Sequence, residues 1–376
     1  MVTLKYDVCI VGAGIIGIAH AVLAIEKGLS VLIVEQEQLS YGASIRNFGL
    51  VWPIGQPQGH LFDRAMKSRE KWVEMAEKAG FWALENGSLH VAHKHDEFEV
   101  LKEYHSKFGY KTNLLTPSEV LKISPHINQT NLIGGLFSQT EVNVDPKKAI
   151  YALCHWLSIQ KNCEIKFGVK TLAVETGMIH TTVGSYHADQ IYICNGADFL
   201  SLYPKVFEKS GLIKSKLQMM RTRPQPSDFK LGPTVCGGLT LRHYASFEQC
   251  ETLNQLKVRV ADKMYEYDRW GIHVMVSQNR ENELVIGDSH EYGLSFDPFD
   301  KDEINTLILN YLKTFMHIEP IEIKETWHGI YAKLPGQTEY EHSPEPGVKI
   351  INGFGGAGMT FSFGYAIEEI DRLINH

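Results

Sequence analysis

The stretch from Tyr6 to Glu35, YDVCIVGAGIIGIAHAVLAIEKGLSVLIVE, constrains this chain more than any other. Val8, Ile10 and Val11 form a β-branched run that reads as a buried parallel strand. The run breaks at Gly12-Ala13-Gly14-Ile15-Ile16-Gly17, a helical pattern follows to Lys27, and Gly28 ends it. A second strand, Ser30 to Val34, closes on Glu35. In such a unit Gly12 makes the tight turn, Gly14 lets backbone N–H groups approach a diphosphate, and Gly17 lets helix and strand pack closely. The helix N-terminus adds free donors and partial positive charge. Glu35 stands where an acceptor for ribose hydroxyls belongs. The complete strand–turn–helix–strand–acid unit, rather than the glycine spacing alone, predicts a bound dinucleotide.

At 376 residues the chain exceeds one ordinary core, which predicts two domains. A net charge of -7 argues against a broad nucleic-acid surface. The six cysteines, at 9, 154, 163, 194, 236 and 250, include no CxxC pair, and Cys9 and Cys194 fall inside apolar strand patterns. They read as reduced core residues of a cytoplasmic protein rather than a disulfide framework or a metal site. Val8 to Ile25 is apolar, but three glycines and His20 interrupt it and Asp7 precedes it, so no membrane span is expected.

The loop from Leu39 to Gln58 is rich in Gly and Pro yet holds Arg46, Phe48 and Trp52. Loops of this length are functional more often than not, and Ser44, Arg46 and Asn47 are donors suited to a diphosphate or a ring carbonyl. An ordered loop packed by its own aromatics is the alternative. Arg64 to Ala79 reads as a helix with one buried face, Ser88 to Ala92 as a strand, and Glu97 to Phe108 as an amphipathic helix. Thr116-Pro117-Ser118-Glu119 is a helix start, and Asp145-Pro146 caps a helix over Lys147 to Gln160. Lys166 to Thr182 gives strands around a Gly turn, and Ile191 to Ala197, IYICNGA, an apolar strand stopping at Asn195-Gly196.

Along nearly its full length the chain resembles the D-amino-acid oxidase / glycine oxidase / sarcosine oxidase superfamily of FAD-dependent oxidoreductases. GAGIIG with Glu35 is the first match, and Ala43-Ser44-Ile45-Arg46-Asn47, where that superfamily passes the flavin, the second. Val169 and IYICNGA are similar to its adenine-side strand and its strand–turn under the diphosphate. The most specific match is VKIINGFGGAGMTFSFGYA, similar to the closing strand, Gly-rich turn and helix over the pyrimidine end of the flavin. The resemblance implies non-covalent FAD, held by Gly12, Gly14, Ile15, Ile16, Gly17, Glu35 and Gln36 at the dinucleotide turn. Ser44, Arg46, Asn47, Val169, Asn195 and Gly196 would line its middle. Gly355, Gly356, Ala357, Gly358, Met359 and Thr360 would close over the ring. A helix starting at Thr360 and running to Ile374 would aim its first-turn donors at the N1/C2 end of the flavin, where charge accumulates on reduction.

Within Leu217 to Thr326, Gly237 to Phe247 packs Arg242, His243 and Tyr244 into consecutive positions. His273 interrupts an apolar strand. A satisfied core histidine and a solvated arginine are the bland readings of His273 and Arg242. The family's amino-acid oxidases often place an Arg after a Trp-x-Gly turn to grip the substrate carboxylate; here that position is Tyr331, with Lys333 two residues on. Its sarcosine oxidase branch attaches flavin through a Cys in this stretch, and Trp327 to Pro335 has none. RNFGLVWPIGQP, GGLTLRHY and GDSHEYG resemble the bacterial branch proposed to act on aminophosphonates. Arg46, Arg242, His243, Tyr244, His273 and Lys333 then form the pool of donors for a phosphonate, with Arg242 first.

Together these readings predict a mixed α/β (α+β) flavoenzyme: a Rossmann-like FAD-binding domain and a substrate domain on a mostly antiparallel sheet. Segments 1–85, 145–216 and 323–376 would form the first, 86–144 and 217–322 the second. The expected reaction oxidises the C–N bond of a small amine, an aminophosphonate foremost, to an imine that hydrolyses to an aldehyde. Oxygen or another acceptor would reoxidise the flavin. No acid/base pair is evident in the sequence. The alternatives are a glycine, sarcosine or D-amino-acid oxidase, and a non-catalytic flavoprotein.

Overall fold

A computed structural model describes residues 5–375; the outermost positions of the expected segments, 1–4 and 376, lie outside them. The first sheet runs in the order Thr171–Glu175, Met178–Thr181, Gly184–Ile193, Lys5–Val11, Val31–Glu35, Cys163–Phe167. Lys5–Val11 pairs in parallel with both neighbours, bringing Val11 beside Ile193 and Val34. Val348–Asn352 adds a further parallel strand on Gly184–Ile193. Central strands buried on both faces need continuous apolar runs, and Val8, Ile10, Leu32 and Ile33 are fully buried. The helices Ile15–Glu26, His60–Ala79, Pro146–Ser158 and Gly358–Ile374 share a hydrophobic core with one face of this sheet.

The second sheet has nine strands among the described residues, all paired antiparallel except Thr234–Cys236 with Ser88–Ala92. Its longest pairing joins Ile213–Thr222 to Ile323–Lys333. This last strand therefore belongs to the second sheet although the expected segment 323–376 grouped it with the first. It returns to the first half through an isolated bridge between Lys333 and Phe354.

The Thr116 capping box holds as read, with Glu119 accepting from the Thr116 N–H at 2.8 Å, and Asp145 caps Lys148 N–H at 3.1 Å. Several helices begin earlier than expected, His95–Phe108 by two residues. His60–Ala79 gains a turn because Gly59, at φ +99°, swings the chain into the helix ahead of the amphipathic pattern. The last helix starts at Gly358 rather than Thr360, since glycine at a first-turn position forms helix without contributing to an apolar face. The strand read over Ile191–Ala197 spans Gly184–Ile193 and ends before Asn195, freeing that turn to face the cleft. All six cysteines are unpaired, and no helix among the described residues is long and apolar enough to cross a membrane.

Candidate active site

A cleft of about 330 Å³ opens beyond the carboxyl ends of Lys5–Val11, Val31–Glu35 and Gly184–Ile193, where open parallel sheets hold their ligands. Its first wall is the Gly12–Gly17 turn. Gly12 has φ +106°, and a Cβ there would stand 2.4 Å from the Cys194 carbonyl oxygen. A Cβ on Gly17 would meet the Gly12 carbonyl at 2.2 Å, so this glycine serves helix–turn packing and does not line the cleft. The Glu35 carboxylate accepts from the N–H groups of Ala13 (2.8 Å) and Glu37 (3.0 Å), pinning the turn to the end of the second strand. Ser44 Oγ accepts from Ile15 N–H at 2.9 Å and brings the following loop over the helix N-terminus.

On the opposite wall, Asn352 Nδ2 donates to Asn195 Oδ1 (3.1 Å) and to the Gly196 carbonyl (2.8 Å), joining the two strand–turns. Gly355, Gly356, Gly358 and Met359 complete the wall where the final helix begins. A Cβ on Gly356 would meet nothing within 4 Å, and neither helix N-terminus facing the cleft carries a cap from its own N-cap side chain. Two helix dipoles with bare backbone, a ribose-type acceptor and an elongated cleft fit a flavin dinucleotide.

A second cavity of about 490 Å³ adjoins it; Asn47, Tyr331, Phe354, Gly355, Gly356 and Met359 line both. Phe48, Leu50, Trp52, Met219 and Met275 give it apolar walls. Among its described lining residues Lys333 is the one Lys or Arg and Asp288 the one carboxylate. Burial lowers the Lys333 pKa from the usual lysine range. Lys333 Nζ lies 4.8 Å from the Tyr292 ring centroid.

At the polar wall three histidines converge. The His243 and His273 rings stack with centroids 3.9 Å apart, and His290 lies 4.4 Å from His243. His273 Nε2 is 2.9 Å from Asp288 Oδ1, but the approach is out of line for a hydrogen bond, and both atoms are left without a hydrogen-bond partner. Burial, then the neighbouring His273 and His290, hold His243 well below the usual histidine range, although its ring surface opens on the cavity. Burial lowers His290 to about 4, with Asp288 pulling the other way.

The family model described as FAD dependent oxidoreductase (DAO) matches residues 7–368. The chain belongs to the DAO family. Its match to the probable oxidoreductase OrdL of Haemophilus influenzae is 26% identical over 182 residues, covering 44% of this chain and 40% of that protein. Human mitochondrial sarcosine dehydrogenase is 26% identical over 198 residues, 46% of this chain and 22% of that protein. The matched region thus spans two fifths or less of these curated relatives. Among solved structures, glycine oxidase from Bacillus cereus superposes with a TM-score of 0.79 at 21% identity, covering 99% of this chain and 95% of that one. L-α-glycerophosphate oxidase from Mycoplasma pneumoniae, solved with FAD bound, gives 0.77 at 18%, covering 99% and 95%. At these identities the likeness concerns the fold, and FAD is the cofactor of the DAO family.

The cleft of this DAO-family chain gathers Gly12, Gly14, Ile15, Ile16, Glu35 and Gln36 with Ser44, Asn47, Val169, Asn195 and Gly196. Ala357 and Thr360 line the second cavity instead. Thr360 Oγ1 accepts from Trp52 N–H at 3.0 Å and so ties the loop to the last helix. Arg46 lines neither cavity: its guanidinium lies 4.2 Å over the Tyr41 ring. Arg242, expected first among the cations, turns to Asp268 at 2.6 Å and is absent from the cavity wall. The reason is local: Gly238–Arg242 is a 3-10 turn whose successive side chains fan around its axis, so Arg242 at its end points to the helix Tyr265–Arg269 while His243 and Tyr244, past the turn, face the cavity. His273 and Lys333 do line it, as does Tyr331.

Asp288 and His290 are absent from the sequence expectation. Their signal was present in Gly287-Asp288-Ser289-His290, where residues two apart in extended chain share a face.

Proposed function

We propose that this DAO-family flavoenzyme oxidises the C–N bond of a small amine carrying an acid group, with an aminophosphonate as the substrate class. The observation that carries the reading is Lys333, among the described residues the single Lys or Arg on the wall of a cavity that shares Tyr331 and Phe354 with the cleft. An Arg fork grips carboxylate and phosphate alike through two parallel bonds, whereas a lysine ammonium is a point charge that can pair with any face of a tetrahedral oxyanion. Gln337 and Thr338 add polar side chains to the same cavity.

Bound FAD supplies the hydride acceptor for the C–H bond next to nitrogen. The apolar wall of Phe48, Leu50, Trp52 and Met219 excludes water and favours the neutral amine, whose lone pair forms the C=N bond as the hydride leaves. Lys333 holds the acid group at the polar end and so fixes which carbon faces the flavin cleft. Hydrolysis of the imine by water then releases an aldehyde, with ammonia from a primary amine or methylamine from an N-methyl one. Two tyrosines stand close by, Tyr244 donating to Met275 Sδ at 3.4 Å and Tyr331 to the Arg46 carbonyl at 2.7 Å. Burial raises both phenols above their usual range, so they remain protonated donors.

A glycine- or sarcosine-type amine is the second reading, favoured by Lys333 being able to pair with a carboxylate. An anaerobic panel distinguishes them: 2-aminoethylphosphonate and its N-methyl and hydroxy analogues, glycine, sarcosine, and an uncharged amine of similar size. Bleaching of the flavin by the phosphonates foremost is the expected result. Preference for glycine or sarcosine overturns the substrate class, and no bleaching by any amine overturns amine oxidation itself.

A further inference from the structure

We propose that His243, His273, His290 and Asp288 form a binding site for a divalent first-row transition-metal ion of the zinc kind, set in the wall of the second cavity. The site is built from three separate stretches of chain. His243 follows the turn Gly238–Arg242, His273 precedes the strand Met275–Gln278, and Asp288 and His290 follow the strand Leu284–Gly287. Two backbone hydrogen bonds, His273 N–H to the Asp288 carbonyl (3.2 Å) and Asp288 N–H to the His273 carbonyl (2.8 Å), hold the last two stretches in register. The His290 N–H donates to the Trp270 carbonyl at 2.8 Å. The side chains thus project from a fixed frame.

One ring nitrogen from each of the three histidines lies within 4.8 Å of the others. A tetrahedral ion with bonds of ~2.0 Å needs nitrogens ~3.3 Å apart, so the three imidazoles would draw in around the ion as it binds. Asp288 Oδ1, 2.9 Å from His273 Nε2, is the carboxylate that stands beside the trio on the cavity wall. His290 Nδ1 lies 3.2 Å from the Gly271 carbonyl; donating to it leaves Nε2 as the lone-pair atom and orients the ring.

Unmet bonding gives the independent reason. His273 is 2% exposed, yet neither ring nitrogen has a hydrogen-bond partner, and Asp288 Oδ1, in a residue 3% exposed, has none either. Buried polar atoms without partners are uncommon, and each calls for a physical account. One proton shared between His273 and Asp288 would satisfy a single pair of atoms and leave the other His273 nitrogen and His243 unassigned. A divalent ion takes up lone pairs from all three imidazoles and the carboxylate together. Three neutral imidazoles and one carboxylate are a donor set that zinc-class ions take. An ion there also reverses the sign of the field that Asp288 projects into the cavity. The site stands on these contacts and does not rest on the choice of substrate.

The test uses the flavin-loaded enzyme, dialysed against chelator and titrated with zinc chloride by calorimetry, with cobalt(II) as a spectroscopic stand-in. One zinc per chain with micromolar or tighter affinity is expected, together with a rise in melting temperature that tracks zinc concentration. His273→Ala should weaken binding at least 100-fold; His243→Gln, whose side chain opens on the cavity, should weaken it at least tenfold. The visible spectrum of the bound flavin reports that each variant is folded, and His243→Gln decides the matter if His273→Ala does not fold. No binding up to 100 μM zinc in the parent protein overturns the proposal. Binding that is unchanged in the folded variants overturns it as well, because the zinc then sits elsewhere, at a cysteine for example.

Discussion

The Tyr331 hydroxyl donates a 2.7 Å hydrogen bond to the carbonyl of Arg46, and Trp327 Nε1 donates to the same oxygen at 3.2 Å. Two side chains of the second sheet thereby hold the loop that carries Ser44 and Asn47 against the flavin cleft. Tyr331→Phe removes one of the two donors and leaves the aromatic packing. A net loss of about 0.5–1.5 kcal/mol is expected, which weakens FAD binding roughly two- to tenfold when apoprotein is titrated and flavin fluorescence followed. An affinity equal to the parent's would show that the loop is held by packing alone.

Glu35 accepts from two backbone N–H groups before any ribose arrives. Glu35→Ala should therefore weaken FAD binding through both the lost ribose contact and a loosened turn, on the order of 1.5–3 kcal/mol for a charged partner. Glu35→Gln keeps an acceptor for the Ala13 N–H and should lose less. The cysteine on the cleft wall, Cys194, is buried and its thiol pushed up by that burial, so no covalent link is expected. Acid precipitation should leave the yellow chromophore in the supernatant.

Lys333→Met should raise the half-saturating concentration of an acid-bearing amine ~10- to 150-fold, the range given by the ~1.5–3 kcal/mol of a charge-assisted contact. An uncharged amine should be little affected. Burial depresses the Lys333 pKa, so its charge is present at low pH and lost below the pH at which an exposed lysine would lose it. The neutral, reactive amine increases with pH in the opposite sense. The profile of kcat/KM should therefore be bell-shaped, and Lys333→Met should remove its alkaline limb; a limb that persists assigns it to another group.

Two buried histidines away from the second cavity weaken the fold on the acid side. Burial lowers His20 to about 4 and His90 to about 3, against ~6.5 in the unfolded chain. The unfolded state then binds more protons below pH ~6.5, so stability falls as pH drops through that value and levels off only below the folded pKa values. Each such histidine withdraws at most ~1.4 kcal/mol per pH unit inside its window. Melting temperature should decline between pH 7 and pH 5, and His20→Asn should flatten the slope.

The flavin half was legible because its constraints are local. Gly12, Gly14, Gly17 and Glu35 sit within one short stretch, and the backbone geometry each glycine permits is written in its own position. The second cavity is assembled from residues far apart in the chain, and local pattern decides only which side chains are near in sequence. Arg242, His243 and Tyr244 are consecutive, yet a turn sends Arg242 to Asp268 and its neighbours to the cavity. The closeness of His273 to Asp288 depends on the pairing of two short strands, Met275–Gln278 and Leu284–Gly287, that are buried almost throughout. No register is readable from such a pattern alone.

The strand Ile323–Lys333 runs the length of Ile213–Thr222 and ends in a bridge to Phe354, at the head of the glycine turn on the cleft wall. Its last residues hold the Arg46 loop through Tyr331 and present Lys333 to the second cavity. A ligand held by Lys333 would therefore be coupled to two segments that line the cleft. Linkage is reciprocal: whatever the acid group gains from a well-held flavin, the flavin gains in residence time from the acid group. On the proposed reading, an acid-bearing substrate would therefore slow the loss of FAD, and its supply would govern how much of the enzyme is kept in its holo form.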